Sequence, residues 1–335
     1  MQELFETRSL TAVAEQLPAA GTFLQDTFFK NEDTSDSEYV DLEVIKGKRK
    51  LSPFVSPKME GKVVGSAAKS VRTYKPAYIK EKWATEATEV VAKSDRVFYA
   101  DNRSIAERVA ERIARELQEH KNNVVRRIEW MASKALTTGK VEVKGEGIDE
   151  VIDFGFDPSQ FVVLGDNTWD RSTTDVLAMM RQWRRERVQA GGIAPDVAVM
   201  GSKAIDAFLD RVGDKLDNRR IDRGMIDPSV LPAGVTYWGY IKEIATDVYS
   251  YDEWYVDDNG DEQPMVPEDG VIYGSSKTQS KRVYGAIKDL KALVATKFFV
   301  KSWEQEDPSV RYMLLQSAPL VVPVEVDAFM FAKVL

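Results

Sequence analysis

The residues that most often carry enzyme chemistry are scarce in this 335-residue sequence, which holds one histidine, His120, and no cysteine. A Ser–His–Asp or Cys–His mechanism would have to use His120, which stands in the middle of a predicted helix without a nucleophile elbow. At 100° per residue, His120 falls near Val109 and Ile113 on the side predicted to be buried. We therefore expect a packed or interface histidine, and no disulfide or thiolate metal site can form.

Motifs for phosphate, dinucleotide or metal binding are absent or incomplete. The segment nearest to a phosphate-binding loop, Gly274-Ser-Ser-Lys277-Thr278, lacks the first glycine at the required spacing, and no G-x-G-x-x-G occurs. Residues 257–260 resemble the start of a calcium loop, but Val266 stands where the closing glutamate should be. We interpret 257–260 as a hairpin turn, and the sequence predicts no cofactor and no metal.

The densest group of opposite charges is the candidate for an enzyme site. Its members between 214 and 223 are Asp214, Asp217, Asp222, Arg219, Arg220 and Arg223. Acid pairs such as Asp214 and Asp217 could do acid–base work in principle, so an α/β enzyme with a polar site here is the alternative function. In a chain with 54 acidic residues such pairs arise by chance, and the adjacent arginines favour an ion-pair network.

Composition argues against several classes of protein: nucleic-acid-binding, secreted and membrane-spanning proteins. The net charge of −8 argues against a chain that binds nucleic acid over its whole surface. The first residues have neither a basic region nor an apolar run, so no signal peptide is expected. No apolar run approaches the 18 residues of a membrane span.

The element that must organise the chain is a long helix predicted over residues 102–138. Ser104 and Glu107 form a capping box, Gly139 is a C-cap signal, and no proline or glycine lies between. An apolar stripe repeats at helical spacing: Ile105, Val109, Ile113, Leu117, Val124, Ile128, Met131 and Ala135. We expect other elements to pack on this stripe.

Residues 1–38 are predicted to be an N-terminal arm. A short helix is expected from Ser9 to Gln16. The apolar residues that follow it cannot bury themselves: Phe23, Leu24, Phe28 and Phe29. The arm either packs on its own domain or docks on a neighbouring subunit.

The segment 46–82 is strongly basic, with eleven Lys and Arg against Glu60 and Glu81. Its charge is +9, so the remainder of the chain carries −17. Prolines and glycines exclude a helix, and we predict a long basic hairpin. Its two strands are indicated by Val63, Val64, Val71, Tyr74, Tyr78 and Ile79.

Three interpretations of this hairpin remain open. It could be a solvated surface loop, or a nucleic-acid loop, which its sparse aromatic residues disfavour. We favour a loop that lies on an acidic surface of another copy. Its candidate contact residues are Arg49, Lys50, Lys58, Lys62, Lys69 and Arg72.

Residues 170–300 alternate helix and strand, which predicts an α/β domain. Ser172 or Thr173 is expected to cap its first helix and Ser202 its second. Residues 312–331 indicate two strands that return to the long helix and cover its stripe.

The order of these elements resembles the lambda-like major capsid protein family of tailed phages. Short segments along nearly the whole chain carry the resemblance: Phe54-Val-Ser-Pro57 with Gly61-Lys-Val63, Tyr74-Lys-Pro-Ala-Tyr78-Ile-Lys80, Lys215-Leu-Asp-Asn-Arg-Arg220, Tyr255-Val-Asp-Asp-Asn-Gly260, Tyr284-Gly-Ala-Ile287 and Gln316-Ser-Ala-Pro-Leu320. Each is weak alone, and their shared order makes the match specific.

The resemblance implies an α+β fold, the tailed-phage major capsid fold. Its parts would be an arm at 1–38, an extended β-hairpin loop at 39–84, a peripheral domain at 85–164 and 301–335 with a spine helix at 102–138, and an α/β axial domain at 165–300. Asp214, Asp217, Arg219 and Arg220 of the axial domain would join the candidate contacts between subunits. Lys58, Lys62 and Lys69 are placed where some capsids cross-link, and we predict no bond.

The function implied is a non-enzymatic shell protein of a phage or prophage. Copies would form hexamers and pentamers of an icosahedral shell that encloses double-stranded DNA without sequence-specific binding. Partners would be a portal, a separate scaffold protein (the arm begins at the N-terminus) and, as in some relatives, a decoration protein, with no membrane. The protein would be made in the bacterial cytoplasm and reside in the virion. A weaker alternative is an encapsulin-type compartment of the same fold.

Overall fold

The fold mixes helices and sheets, as an α+β protein does. A computed structural model describes residues 6–17, 21–37, 39–46, 55, 57–60, 68–86, 105–222, 225–290, 296–307 and 310–335. Helices in these ranges are α1 (Thr7–Gln16), α2 (Leu24–Phe28), α3 (Ile105–Thr138), α4 (Val176–Gly191), α5 (Ser202–Val212) and α6 (Arg219–Asp222).

Strands form small sheets around one larger sheet. In chain order they are β1 (Asn31–Thr34), β2 (Val40–Lys46), β3 (Ala68–Tyr74), β4 (Ile79–Glu86), β5 (Lys140–Gly145), β6 (Ile148–Asp153), β7 (Phe161–Val163), β8 (Val197–Met200), β9 (Val235–Ile241), β10 (Thr246–Tyr251), β11 (Trp254–Val256), β12 (Glu262–Pro264), β13 (Gly270–Gly274), β14 (Lys281–Tyr284), β15 (Phe299–Gln305), β16 (Val310–Ser317), β17 (Pro319–Val322) and β18 (Met330–Lys333). The larger sheet has six strands in the order β7-β18-β13-β8-β10-β9.

Helix α3 confirms the predicted long helix and its stripe. Its 34 residues span about 50 Å at 1.5 Å per residue. Gly139 ends it with φ +70°, and the Gly139 N–H donates to the Ala135 carbonyl. The stripe is buried from Ile113 to Ala135, while Ser104 of the predicted capping box lies outside the described residues.

The six-stranded sheet is covered on both faces. Val197 and Val199 of β8 belong to the core cluster that contains α3, whereas Ala198 and Met200 belong to the cluster that contains α4 and α5. Successive side chains of a strand point to opposite faces, so α3 packs on one face and α4 with α5 on the other. Burial on both faces explains why β8 is apolar throughout.

The C-terminal strands return to α3, as predicted, but there are three of them. β16 pairs with β15 and β4, β17 pairs with β14, and β18 enters the six-stranded sheet beside β13. Leu315 and Leu320 lie in the same buried cluster as the α3 stripe. The C-terminus therefore joins α3 to the sheet built from residues 161–274.

Two predicted helix caps are wrong. α4 is capped by Asp175, whose Oδ1 accepts from the Ala178 N–H at 2.9 Å, in place of Ser172 or Thr173. α5 begins at Ser202 and follows Gly201, with no side-chain cap. The Ala204 N–H instead donates to the Glu268 carbonyl at 2.9 Å, because the loop before β13 lies against this end of α5.

The apolar residues of the arm pack on their own chain. Phe23, Phe28 and Phe29 are buried, and the Phe28 ring meets Phe329 edge-on at 5.5 Å between centroids. Of the two interpretations of these residues, the structure supports packing within the chain.

The structure pairs β2 with β3, with Val40 opposite Tyr74 and Lys46 opposite Ala68. The first strand of this hairpin therefore precedes the predicted basic segment 46–82 except at Lys46, which corrects the expectation that both strands lie within that segment. The predicted strand residues Val71 and Tyr74 lie in β3, and Val63 and Val64 lie outside the described residues. Ile79 begins β4, which pairs with β16 rather than with the hairpin. The segment therefore divides between a hairpin and a sheet that packs beside α3.

Candidate functional site

The polar cluster predicted near 214–223 is an ion-pair network around Asp217. This carboxylate accepts from Arg219 Nε at 3.0 and 3.1 Å and meets Lys242 Nζ at 2.9 Å. The hydrogen bond from Lys242, with those from Arg219, holds the pKa of Asp217 far below its usual range. A carboxylate this acidic is a poor general acid or base at neutral pH.

Arg220 continues the network. Its Nη1 lies 2.6 Å from Asp247 Oδ2, the Tyr237 hydroxyl donates to Asp247 Oδ1 at 3.0 Å, and the guanidinium lies 4.0 Å from the Tyr240 ring centre. Burial raises the pKa of Asp247, and the charge of Arg220 opposes that rise. Asp247 thus anchors α6 to β10.

The network surrounds an open pocket of about 210 Å³, smaller than the usual ligand pocket of roughly 300–1,000 Å³. Its lining residues are Asp217, Arg219, Arg220, Met225, Tyr240 and Lys242. Asp214, the other acid of the candidate pair, is not among these lining residues. The side chain of Asp222 and all of Arg223 lie outside the described residues. The enzyme alternative gains no support from this arrangement.

The basic contact candidates fall into two groups. Lys69 and Arg72 lie in β3 opposite Ile45 and Leu42, and Lys58 lies in an exposed turn at 57–60. Arg49, Lys50 and Lys62 lie outside the described residues.

His120 is packed, as predicted. Its ring stacks on Trp83 of β4 at 3.9 Å between centroids, and Nδ1 lies 2.7 Å from Glu81 Oε2. Trp83 Nε1 donates to Glu116 Oε2 at 3.2 Å. His120 therefore fastens β4 to α3.

Two buried charges on α3 hold the arm, and neither is among the residues predicted from the sequence. Lys121 Nζ donates to the carbonyls of Ala14 at 2.8 Å and Leu17 at 2.6 Å, where α1 ends. A cation at the carboxyl end of a helix also complements its dipole. Burial lowers the pKa of Lys121.

Glu129 accepts hydrogen bonds at the start of α2, whereas Lys121 donates them at the end of α1. Its Oε1 accepts from the N–H groups of Phe23 at 3.0 Å and Leu24 at 2.7 Å, and its Oε2 accepts from that of Gln25 at 3.1 Å. The Tyr251 hydroxyl also donates to Oε1 at 3.1 Å. Burial raises the pKa of Glu129, against the effect of these donors.

A signal for both charges exists in the sequence. Lys121 follows Leu117 by four positions, and Glu129 follows Val125 by four, so each occupies a row of the buried face. A charge on such a row must find a partner when it is buried.

The described ranges contain neither a cluster of metal ligands nor a membrane-spanning helix. No three His, Asp or Glu side chains there converge as metal ligands would. No helix in those ranges is long and apolar enough to cross a membrane.

Relatives of known role match along the whole chain. Residues 6–334 match the phage major capsid protein E family. The P21 prophage-derived major head protein of Escherichia coli O6:H1 (strain CFT073) is 26% identical over 343 residues, covering 99% of each chain. The major capsid protein of Escherichia phage lambda is 26% identical over 343 residues, covering 97% of this chain and 98% of the relative.

Solved structures share the fold. The crystal structure described as a prophage capsid protein of E. coli CFT073 superposes with a TM-score of 0.73 at 20% identity, covering 98% of this chain and 99% of that one. The capsid of Ralstonia phage GP4 gives a TM-score of 0.55 at 8% identity, covering 93% and 90%. Since the family match spans nearly all residues, this chain belongs to the phage major capsid protein E family and is a structural head protein of a phage or prophage.

Proposed function

We propose that copies of this chain assemble into the hexamers and pentamers of an icosahedral shell that encloses double-stranded DNA. The observation that carries the proposal is the family match over residues 6–334. We assign the protein no enzymatic role, since the polar cluster near 214–223 is an ion-pair network.

The parts of the tile are proposed as follows. Residues 1–38 serve as the arm, 39–84 as the extended loop, 85–164 with 301–335 as the peripheral domain, and 165–300 as the axial domain. The continuity of β4 with β16, and of β18 with the six-stranded sheet, supports a tile whose domains share strands.

Contacts between copies are proposed to join unlike surfaces. The segment 46–82 carries +9 and the rest of the chain −17. Opposite charges in different segments of one chain favour head-to-tail contacts between copies, which close into rings. The contact residues proposed are Arg49, Lys50, Lys58, Lys62, Lys69, Arg72, Asp214, Asp217, Arg219 and Arg220.

The other partners proposed are a separate scaffold protein, a portal and a decoration protein. DNA is enclosed without sequence-specific binding, in keeping with the net charge of −8, because a strongly basic lining would hold phosphate and resist close packing. The protein would be made in the host cytoplasm and reside in the virion capsid.

Electron microscopy tests the proposal. The chain is expressed alone and with the neighbouring phage genes, and closed shells are expected in the second case at least. A protein that remains monomeric in both cases and turns over a small molecule would refute it.

A further inference from the structure

The turn between β11 and β12 carries the one Asn-Gly pair of the sequence, Asn259-Gly260. An asparagine before a glycine cyclises more readily than any other, because glycine has no side chain to obstruct its backbone nitrogen. Every other asparagine of the chain is followed by a residue with a larger side chain. The sequence therefore singles out Asn259 for a reaction of its own side-chain amide.

The structure leaves this turn open to solvent. Asn259 and Gly260 are both exposed, and a Cβ built on Gly260 would meet no atom within 4 Å. The loop of residues 257–261 is closed by the pairing of Val256 with Glu262. A change of backbone shape at Gly260 therefore has to displace no packed neighbour.

The hydrogen bonds that hold the turn all go to Asp257. The Gly260 N–H donates to the Asp257 carbonyl at 3.0 Å, and the N–H groups of Asn259 and Asp261 donate to Asp257 Oδ1 at 2.9 and 3.0 Å. The Asp261 N–H and, after it, the groups of Asn259 and Gly260 hold the pKa of Asp257 below its usual range. The carboxylate is therefore ionised at neutral pH and lies beside the Gly260 nitrogen.

The reaction open to this pair is a cyclisation followed by hydrolysis. The Gly260 nitrogen loses its proton and attacks Cγ of Asn259, the bond from Cγ to the side-chain nitrogen breaks, and ammonia leaves with a proton. Water then opens the five-membered succinimide at one of its two carbonyls, which gives aspartate or isoaspartate. The negative charge of Asp257 disfavours the loss of the proton from Gly260, so it slows the first step.

We propose that Asn259 is a site of spontaneous modification, which converts to aspartate or isoaspartate at a rate that Asp257 restrains. The proposal goes beyond the proposed function and does not depend on it, because the folded chain and water are sufficient for the reaction.

The product adds negative charge where negative charge is already concentrated. Residues 257–262 hold four acidic side chains and no cation. In the described part of the chain, the salt bridge to this turn comes from Arg127, whose Nη2 lies 2.9 Å from Asp258 Oδ1. A fifth carboxylate repels the other four, and isoaspartate also lengthens the backbone of the turn by one carbon. The β11–β12 hairpin should therefore be less stable in converted copies.

Peptide mass spectrometry of the full-length protein tests the site. During incubation for days at mildly alkaline pH, the peptide that contains Asn259 should gain the mass difference between NH₂ and OH. Asn167, which is also exposed but precedes Thr168, is the internal control and should stay unchanged. Gly260→Ala should slow the gain at least about tenfold, which corresponds to a barrier about 1.4 kcal/mol higher.

Two results would overturn the assignment of this site. One is an unchanged Asn259 in the folded protein over a time in which the urea-unfolded chain converts completely. The other is equal conversion of Asn259 and Asn167.

A second pair of variants tests the restraint by Asp257. Asp257→Ala should speed the conversion several-fold, and Asp261→Ala, which leaves the Asp257 carboxylate in place, should change it less. Circular dichroism checks that both variants fold. Unfolding the wild-type chain in urea also removes the restraint and should speed the conversion. A slower reaction in Asp257→Ala, or equal rates in the folded and unfolded wild-type chain, would refute this role of Asp257.

Discussion

Single residues of α3 fix how the N-terminal arm lies on the rest of the chain. Lys121 binds the carbonyl end of α1 and Glu129 binds the amide end of α2, so one helix supplies both caps. Each charge is buried, and each satisfies backbone groups that would otherwise lack partners. The arm is therefore held by hydrogen bonds from these two side chains as well as by the packing of its phenylalanines.

Replacing Glu129 tests this attachment. Glu129→Gln sets a donor NH₂ group against the Gln25 N–H and should lower the free energy of unfolding by about 1–3 kcal/mol. The cut rate of the first 30 residues in limited proteolysis should rise. Glu119→Gln, on the exposed side of the same helix, is the control and should change the stability by about 0.5 kcal/mol or less. Equal stability of the two variants would contradict the role given to Glu129.

The ion pairs of Asp217 predict a dependence on pH. Because the pKa of Asp217 is lowered in the folded protein, its contribution is present above the ordinary aspartate pKa and is lost as the pH falls through the folded value. Urea unfolding should therefore show Asp217→Asn less stable than wild type at pH 7, with a smaller gap in acid. Asp214→Asn, outside the pocket, serves as control, and a gap that widens in acid would contradict the assignment.

At the scale of elements, the close approach of a loop to the backbone determines how helix α5 begins. Gly201 stands between β8 and α5, and a Cβ there would lie 2.1 Å from the Pro267 carbonyl oxygen. The same approach brings the Glu268 carbonyl to the Ala204 N–H. The glycine thus allows the loop before β13 to cap α5.

A methyl group at this position tests the approach. Gly201→Ala should lower the free energy of unfolding by at least about 1–3 kcal/mol, since the backbone on both sides must move. Gly145→Ala, with nothing within 4 Å of the added carbon, is the matched control and should be nearly neutral. Thermal unfolding of both proteins measures the difference, and similar midpoints would refute the steric argument.

At the scale of the whole molecule, the separation of charge along the chain is the basis that we propose for contacts between copies. A segment of +9 cannot neutralise itself, and the remainder of −17 offers an acceptor. Isolated copies with this distribution attract in one relative orientation more than in others.

Reversing the basic segment tests this view of assembly. The triple variant Arg49→Glu, Lys50→Glu and Lys62→Glu should remain a folded monomer and form no shells when the scaffold is present. The control reverses Arg126, Arg185 and Lys277, which lie outside the segment, and should keep a larger shell yield. Electron microscopy and sucrose gradients give the readout, and wild-type-like shells from the first variant would refute the role of the loop.

The sequence alone allowed the long helix, its buried stripe, its glycine end and most strands to be predicted. These features depend on neighbours within a few positions, so periodicity and turn residues reveal them. The caps of α4 and α5 were predicted wrongly for different reasons. Asp175 caps α4 and lies only three positions after Ser172, so both were possible caps in the sequence. Gly201 precedes α5 because a loop more than 60 residues away in the chain approaches it closely.

The class of protein could be predicted from the sequence without a structure. The features that indicated it are the scarcity of His and Cys, the separation of charge and the ordered family segments. Tertiary structure alone decided that β4 pairs with β16, that Asp217 is matched to Lys242, and that Lys121 and Glu129 hold the arm. The physical reason is that strand pairing and burial of charge join residues far apart in the chain, and no local pattern specifies which distant partner packs against which.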